Sequence, residues 1–464
     1  MPPTTNKSGS ITINPSSITG SVTAPSSKSY THRAIICASL APGVSHIHNP
    51  LESADIRETK RTIEALGARI VKQNGTLIVE GTENLTGEKL VQVCEDDKIL
   101  EIKTLVHSGS SLRFLIPIAA VTKTKYPIFF MRKGRLKERP IEPLLDVLNE
   151  LGVKCKIEKI DDNRDAVVIY PRPRKNIGEI NHIGKRKIRM PGDISSQFIT
   201  GLLFVLPRAP KVTLTIENLN PESKPYIELT LDVLKRFGIE IKASKGLDEF
   251  TIKPNQHYIP TEFTIEGDYS SGAFLLAAGA ISGNIEVDNL NPKSKQSDRA
   301  IVKILKRMGA KINLGKRSVS SKKSKLKGIR INLKDTPDLG PICATLGCFA
   351  EGKTTITGAE KLRVKESDRL SAITEELTKM GANIEEKRDG LIVHGVPELK
   401  GAIIDPHNDH RIAMACAVAA LGAKGKTTIK NPKCVEKSYP NFFKDLKNLG
   451  AQVSQVKSKT SAHA

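Results

Sequence analysis

The feature that most constrains this chain is a short phrase repeated six times: a helix end, a glycine, then the start of a strand. The copies are IEALGARI (63–70), LNELGVKC (148–155), LKRFGIEI (234–241), LKRMGAKI (305–312), LTKMGANI (377–384) and LKNLGAQV (446–453). Their glycines, Gly67, Gly152, Gly238, Gly309, Gly381 and Gly450, lie about 70 to 86 residues apart. Glycine there suits the left-handed turn by which a chain leaves a helix for a strand. One such phrase means little, but six in register dictate a repeat architecture.

Each copy also carries an apolar helix opened by small polar or charged residues. The openings are Ser26 to Ser29, Ser108 to Ser111, Ser195 to Gln197, Tyr269 to Ser271, Pro337 to Gly340 and Asn408 to Arg411. Alternating strands follow most of these helices, as in Gly352 to Thr357 and Gly425 to Lys430. The spacing therefore predicts an α/β (α+β) chain of six βαβαββ units around buried helices, three to each of two similar domains. The turn-like stretch Pro254 to Pro260, with Gly267 and Asp268 ahead of a new helix, marks the seam. The expected domains are 24–264 and 265–464. The leading strand, Ile11 to Ile18, has no copy of its own, so residues 1–23 are expected to complete the second domain. The tail, 457–464, is expected to be disordered.

Composition narrows the function. No apolar run reaches the ~20 residues of a membrane span, and the start MPPTTNKSGS has neither a signal core nor an Arg-rich leader. A cytoplasmic protein without membrane contact is expected. The seven cysteines are scattered and form no CxxC pair; buried reduced thiols are the reading, not zinc or disulfides. A formal charge of +22 attracts anions. Basic runs such as Lys185 to Lys187 and Ser321 to Gly328 read as solvated loops. With no Trp and few aromatics there is little for bases to stack on, so small anions are favoured over nucleic acid.

The helix openings hold the chemistry. Arg363 to Leu370 packs two arginines, a lysine, a glutamate and an aspartate ahead of a helix with apolar residues at 370, 373, 377 and 380. Ser367 and Asp368 suit its N-cap. Lys365 and Arg369 can address two negative groups, with Glu366 between them as a proton carrier. The first opening offers Lys28, Ser29 and Arg33, a set suited to phosphate or carboxylate. The second offers Gly109, where a ligand can approach the backbone, and Arg113, followed downstream by the charged cluster at Arg135. Ser195, Ser196 and Gln197 suit a polyhydroxylated ligand, and Ser223 with Tyr226 adds hydroxyls. Asp338 heads one apolar helix, Asp409 to Arg411 another, and Lys437 precedes the last. Taken singly, each is an ordinary cap or surface charge; together they describe a site for multiply charged anions. Nothing in the set has metal-ligand spacing, and neither a P-loop nor a dinucleotide fingerprint occurs.

From Ser21 to Leu449 the sequence resembles the EPSP synthase family of enolpyruvyl transferases. The resemblance rests on Ser27 to Arg33, Gly109 to Arg113, Gly134 to Pro140, Ser195 to Gln197, Arg363 to Arg369, Asp405 to Arg411 and Lys437 to Pro440, in the family's order. It implies two three-repeat domains hinged around a central cleft, in agreement with the six repeats above. It implies 3-phosphoshikimate contacts from Lys28, Ser29, Arg33, Ser195, Ser196, Gln197, Ser223, Asp338 and Lys365. It implies phosphoenolpyruvate contacts from Lys28, Gly109, Arg135, Gln197, Arg369, Arg411 and Lys437. Two departures stand out: Lys361 replaces an asparagine that touches shikimate in some members, and His107 stands where Asn or Glu is more familiar.

The implied reaction moves the enolpyruvyl group of phosphoenolpyruvate onto the 5-hydroxyl of 3-phosphoshikimate and releases phosphate, a step of the shikimate pathway to aromatic amino acids. The matched catalytic residues are Asp338 as base, Glu366 as acid and Lys28 beside it, in a monomer with no metal or organic cofactor. A UDP-N-acetylglucosamine enolpyruvyl transferase is the alternative within the class. That family usually has Lys-Asn at the first motif and a cysteine in a glycine-rich loop; here the pair is Lys28-Ser29, and no cysteine sits in such a loop. A polyanion- or RNA-binding repeat protein is the alternative outside it, but the charges coincide with helix openings and not with a groove-sized stripe.

Overall fold

A computed structural model describes residues 9–86, 108–171 and 187–456, together with the backbone of the strand Ile102–Leu105. His107, Cys94, Lys185 and the tail 457–464 lie outside the described residues. The chain divides into two compact units, one of residues 26–265 and one of residues 1–25 with 266–464.

Each unit contains three four-stranded mixed sheets. In the 26–265 unit two of them are contiguous βαβαββ runs. One pairs Ile102–Leu105 parallel to Ile128–Lys133, which is antiparallel to Arg164–Ile169, with Cys155–Lys159 at the edge. The next repeats the pattern with Lys187–Pro191, Val212–Glu217, Glu249–Ile252 and Ile241–Ala243. The remaining sheet takes its first strand, Glu262–Thr264, from the far end of the unit, beside Gly43–His48.

The other unit borrows from the N-terminus twice. Ile18–Thr23 lies parallel to Gly283–Asp288, standing in as the first strand of one repeat. Ser10–Ile13 fits antiparallel between Thr427–Lys430 and Val453–Val456, completing another. The third repeat, from Arg330–Asn332 to Gly390–His394, is contiguous.

Two kinds of helix alternate. One kind is mostly apolar and, beyond its first turn, buried on every side: Lys28–Leu40, Gly109–Ala120, Ser196–Val205, Tyr269–Ser282, Gly340–Cys348 and His410–Gly422. These fill the middle of each unit and form its hydrophobic core with the inner faces of the sheets. The other kind is amphipathic and ends at the repeated glycine, as Arg369–Lys379 ends before Gly381. All six repeated glycines have positive φ, from 76° to 120°. That is the conformation an L-residue resists, and it explains why the phrase recurs with glycine.

Five of the six buried helices begin on polar caps, because their first N–H groups have no partner inside the helix. Ser27, Ser108, Ser195, Asp268 and Asp409 each accept a hydrogen bond from the first turn. Cys37, Cys155, Cys343, Cys348, Cys416 and Cys434 are free and buried, packing as small apolar groups.

Candidate active site

In the unit holding residues 266–456, three helix openings converge on Arg369. Asp368 caps Arg369–Lys379 by accepting from Leu370 and Ser371, which fixes Arg369 as the first helical residue. Arg363 clamps the loop before it, bonding Asp368, Glu386 and the carbonyls of Lys387 and Arg388. Arg369 is 1% exposed and spends its guanidinium on three carboxylates. Nε donates to Asp409 Oδ2 at 2.7 Å, Nη1 to Asp338 Oδ1 at 2.9 Å, and Nη2 to Glu366 Oε2 at 2.6 Å.

Asp338 lies in the turn Pro337–Leu339 that leads into Gly340–Cys348. Besides Arg369 it meets Arg411 Nη2 at 2.9 Å and Lys365 Nζ at 3.7 Å. Burial by itself would raise its carboxyl, but Arg411, Lys365 and Arg369 outweigh burial and hold it well below the usual carboxylate range. Arg369 is held above the usual guanidinium range: burial works against its charge, and Asp409, Glu366 and Asp338 overcome it. Lys437 donates to the carbonyl of Asn408, beside the cap residue Asp409.

In the 26–265 unit, Ser27 caps Lys28–Leu40, so Lys28 and Ser29 occupy its first turn. Lys28 pairs with Asp55 at 2.9 Å. Arg33 is buried, donating to Thr230 Oγ1 and to the carbonyls of Ser29 and Tyr226, with its guanidinium 5.0 Å from the Phe114 ring centre. Burial draws its pKa down to about 10, so it keeps its charge at neutral pH. Ser223 is buried at the start of Lys224–Arg236, and half-buried Ser195 and Ser196 open Ser196–Val205.

Gln197 Nε2 donates to Ser110 Oγ at 2.8 Å while its Oε1 accepts from Arg113 Nη1 at 3.1 Å. Gly109 is close by, and a Cβ added there would stand 2.5 Å from Arg139 Nη1 and 2.9 Å from Arg113 Nη1. The room left by this glycine therefore holds two guanidinium groups. Arg135 is exposed and faces Glu138 at 3.8 Å.

Comparison with known proteins bears on this arrangement. The family model for EPSP synthase (3-phosphoshikimate 1-carboxyvinyltransferase) matches residues 13–446. The chain belongs to the EPSP synthase family. A 3-phosphoshikimate 1-carboxyvinyltransferase from Methanocaldococcus jannaschii is 43% identical over 439 residues, 94% of this chain and 96% of that one. One from Methanococcus maripaludis strain C5 is 40% identical over 443 residues, covering 95% and 98%. An EPSP synthase structure from Acinetobacter baumannii matches the fold with a TM-score of 0.75 at 24% identity, over 97% of this chain and all of that one.

Within this member of the EPSP synthase family, two pairings within the clusters escaped the sequence reading. Asp55 and Asp409 were not singled out as the partners of Lys28 and Arg369, because pairing across 27 or 40 residues leaves no local signal. One group has metal-binding composition: Glu375, Glu376 and His407. The ammonium of Lys379, 2.7 Å from both Glu375 and Glu376, already supplies a cation there. Among the described residues no helix is long and apolar enough to cross a membrane.

Proposed function

We propose that the chain transfers the enolpyruvyl group of phosphoenolpyruvate to the 5-hydroxyl of 3-phosphoshikimate, releasing phosphate. The observation that carries this reading is Asp338, a carboxylate held by Arg369, Arg411 and Lys365, with Glu366 on the same Arg369. A base, an acid and anion-binding cations thus share one cluster. On this reading Lys28, Ser29, Arg33, Ser195, Ser196, Gln197, Ser223, Asp338 and Lys365 bind 3-phosphoshikimate. Lys28, Gly109, Arg135, Gln197, Arg369, Arg411 and Lys437 bind phosphoenolpyruvate.

The cations make Asp338 a weak base while they hold it. A substrate carboxylate or phosphate that draws on Arg411, Arg369 or Lys365 loosens that hold and raises its proton affinity. Asp338 then takes the hydroxyl proton as the oxygen attacks C2, and Glu366, which must first take up a proton from solvent as ligand anions draw on Arg369, gives that proton to C3. In the elimination Glu366 takes back a proton from the new methyl group, and Asp338 passes its proton to the departing phosphate. The cationic groups stabilise the charge that builds up. The monomeric state, the lack of nucleic-acid binding and a cytoplasmic location belong to the same proposal.

Phosphate release from phosphoenolpyruvate tests the reading. Release is expected only when 3-phosphoshikimate is present, and a chelator should make no difference. Release driven by UDP-N-acetylglucosamine would overturn it.

A further inference from the structure

One helix grips the loop ahead of His410–Gly422 at both ends. Arg369, the first residue of Arg369–Lys379, holds Asp409 at the far end of that loop. Two turns further along the same helix, Glu376 holds its near end. The Glu376 side chain is fully buried, so its carboxylate oxygens must be met by donors. Oε2 accepts from the backbone N–H of Asp405 at 3.0 Å. Oε1 accepts from Lys379 Nζ at 2.7 Å and faces His407 Nε2 at 3.0 Å. Glu375 Oε2 lies 3.7 Å from the same ring nitrogen. With carboxylate oxygens on that side, His407 Nε2 carries a proton and donates.

The turn held in this way is costly to form. His407 and Asn408 both have left-handed backbone, with φ of 51° and 54°, a region that side chains resist. Asp405 Oδ1 accepts from the N–H of His407 at 2.9 Å, and the N–H of Asp409 donates to the carbonyl of Pro406 at 2.8 Å. The turn brings the Asn408 carbonyl to Lys437 Nζ, 2.5 Å away, and sets Asp409 where it caps the helix that carries Arg411. We propose that Glu376 is a positioning residue for enolpyruvyl transfer: through Asp405 and His407 it fixes the left-handed turn from which Arg411 and Lys437 are presented to phosphoenolpyruvate. This rests on the reaction proposed above.

Glu376→Gln keeps the shape and breaks the match. Three donors meet the two carboxylate oxygens, whereas an amide offers one oxygen and an NH2 group, so either orientation sets donor against donor. The phosphoenolpyruvate KM should rise by roughly 3- to 100-fold, the range for groups coupled in one hydrogen-bond network. The 3-phosphoshikimate KM and kcat should change far less. An unchanged phosphoenolpyruvate KM in the folded variant would overturn the proposal.

Two changes at His407 decide the question even if Glu376→Gln does not fold. The amide of Gln reaches about as far as imidazole Nε2, so His407→Gln keeps a donor on Glu376. The amide of Asn is too short for that contact, yet Asn accepts left-handed backbone more readily than Gln. His407→Gln should therefore hold the phosphoenolpyruvate KM near that of wild type, and His407→Asn should raise it. Equal KM values, or the reverse order that backbone strain alone would give, would overturn the proposal.

Hydrogen exchange on the ligand-free protein separates this inference from the assigned reaction. Amides of the segment 405–411 should exchange faster in Glu376→Gln and His407→Asn than in wild type, and His407→Gln should stay close to wild type. Unchanged exchange there in both of the first two variants would overturn the hold of Glu376 on the turn. Lack of turnover in wild type would instead refute the reaction, and the exchange rates would still decide whether Glu376 fixes the turn.

Discussion

Arg369 and Asp409 form a doubly bonded ion pair in the core of their unit, Nε to Oδ2 at 2.7 Å and Nη2 to Oδ1 at 3.3 Å, with side chains 1% and 0% exposed. Asp409 also caps His410–Gly422, and Ser367 donates to it at 3.1 Å. The pair therefore ties the opening of one helix to the opening of another. Arg369→Ala would strand a buried carboxylate, which costs about 3–5 kcal/mol. Urea unfolding should show that loss, and phosphoenolpyruvate KM should rise in whatever protein remains folded. A variant as stable as wild type would contradict the structural role.

Asp338 and Glu366 should separate chemistry from binding. Asp338→Asn and Glu366→Gln preserve shape and remove proton transfer, so kcat should fall by about 10²–10⁴-fold in each. Neither change removes a cation, so phosphoenolpyruvate affinity, read by titration, should hold or tighten. Near-normal kcat would refute the acid–base roles.

Gly109 should respond to a single methyl group. Gly109→Ala puts a carbon where the Arg139 and Arg113 guanidinium groups lie, 2.5 and 2.9 Å away, and those flexible ends must move. Arg113 then loses its alignment on Gln197. The expected result in steady-state kinetics is a higher phosphoenolpyruvate KM. An unchanged KM would mean that neither arginine senses the ligand.

The repeated glycines offer a test without steric ambiguity. At Gly381, with φ of 87°, an added Cβ meets nothing within 4 Å. Gly381→Ala should therefore destabilise only through backbone strain, by about 1–3 kcal/mol, and Gly381→Asn by less, since Asn tolerates the left-handed region. Equal stability of all three proteins by urea unfolding would refute that account of the repeat.

Much of the fold was legible because its signals are local. The six glycines mark positive φ, and the serines and aspartates at 27, 108, 195, 268 and 409 mark helix starts through hydrogen bonds spanning two or three residues. The borrowed strands are different. The missing copy in the repeat count points residues 1–23 to the second domain, but the strands that Ser10–Ile13 pairs with, more than 400 residues away, leave no mark in its own sequence. At the site, the cationic and acidic residues of 363–369 could be read as a cluster from adjacency alone. That Arg369 would be saturated by Asp409, Asp338 and Glu366 could not, because burial and pairing are decided by tertiary packing.

The central claim is addition of 3-phosphoshikimate to phosphoenolpyruvate followed by loss of phosphate, with C3 protonated and then deprotonated. Running the reaction in deuterium oxide and reading the product by mass spectrometry and proton NMR tests it most directly. The account predicts an enol ether of 3-phosphoshikimate whose methylene carries solvent deuterium, with one phosphate released per product. Product with no deuterium at that carbon, or phosphate released with no enol ether formed, would contradict it.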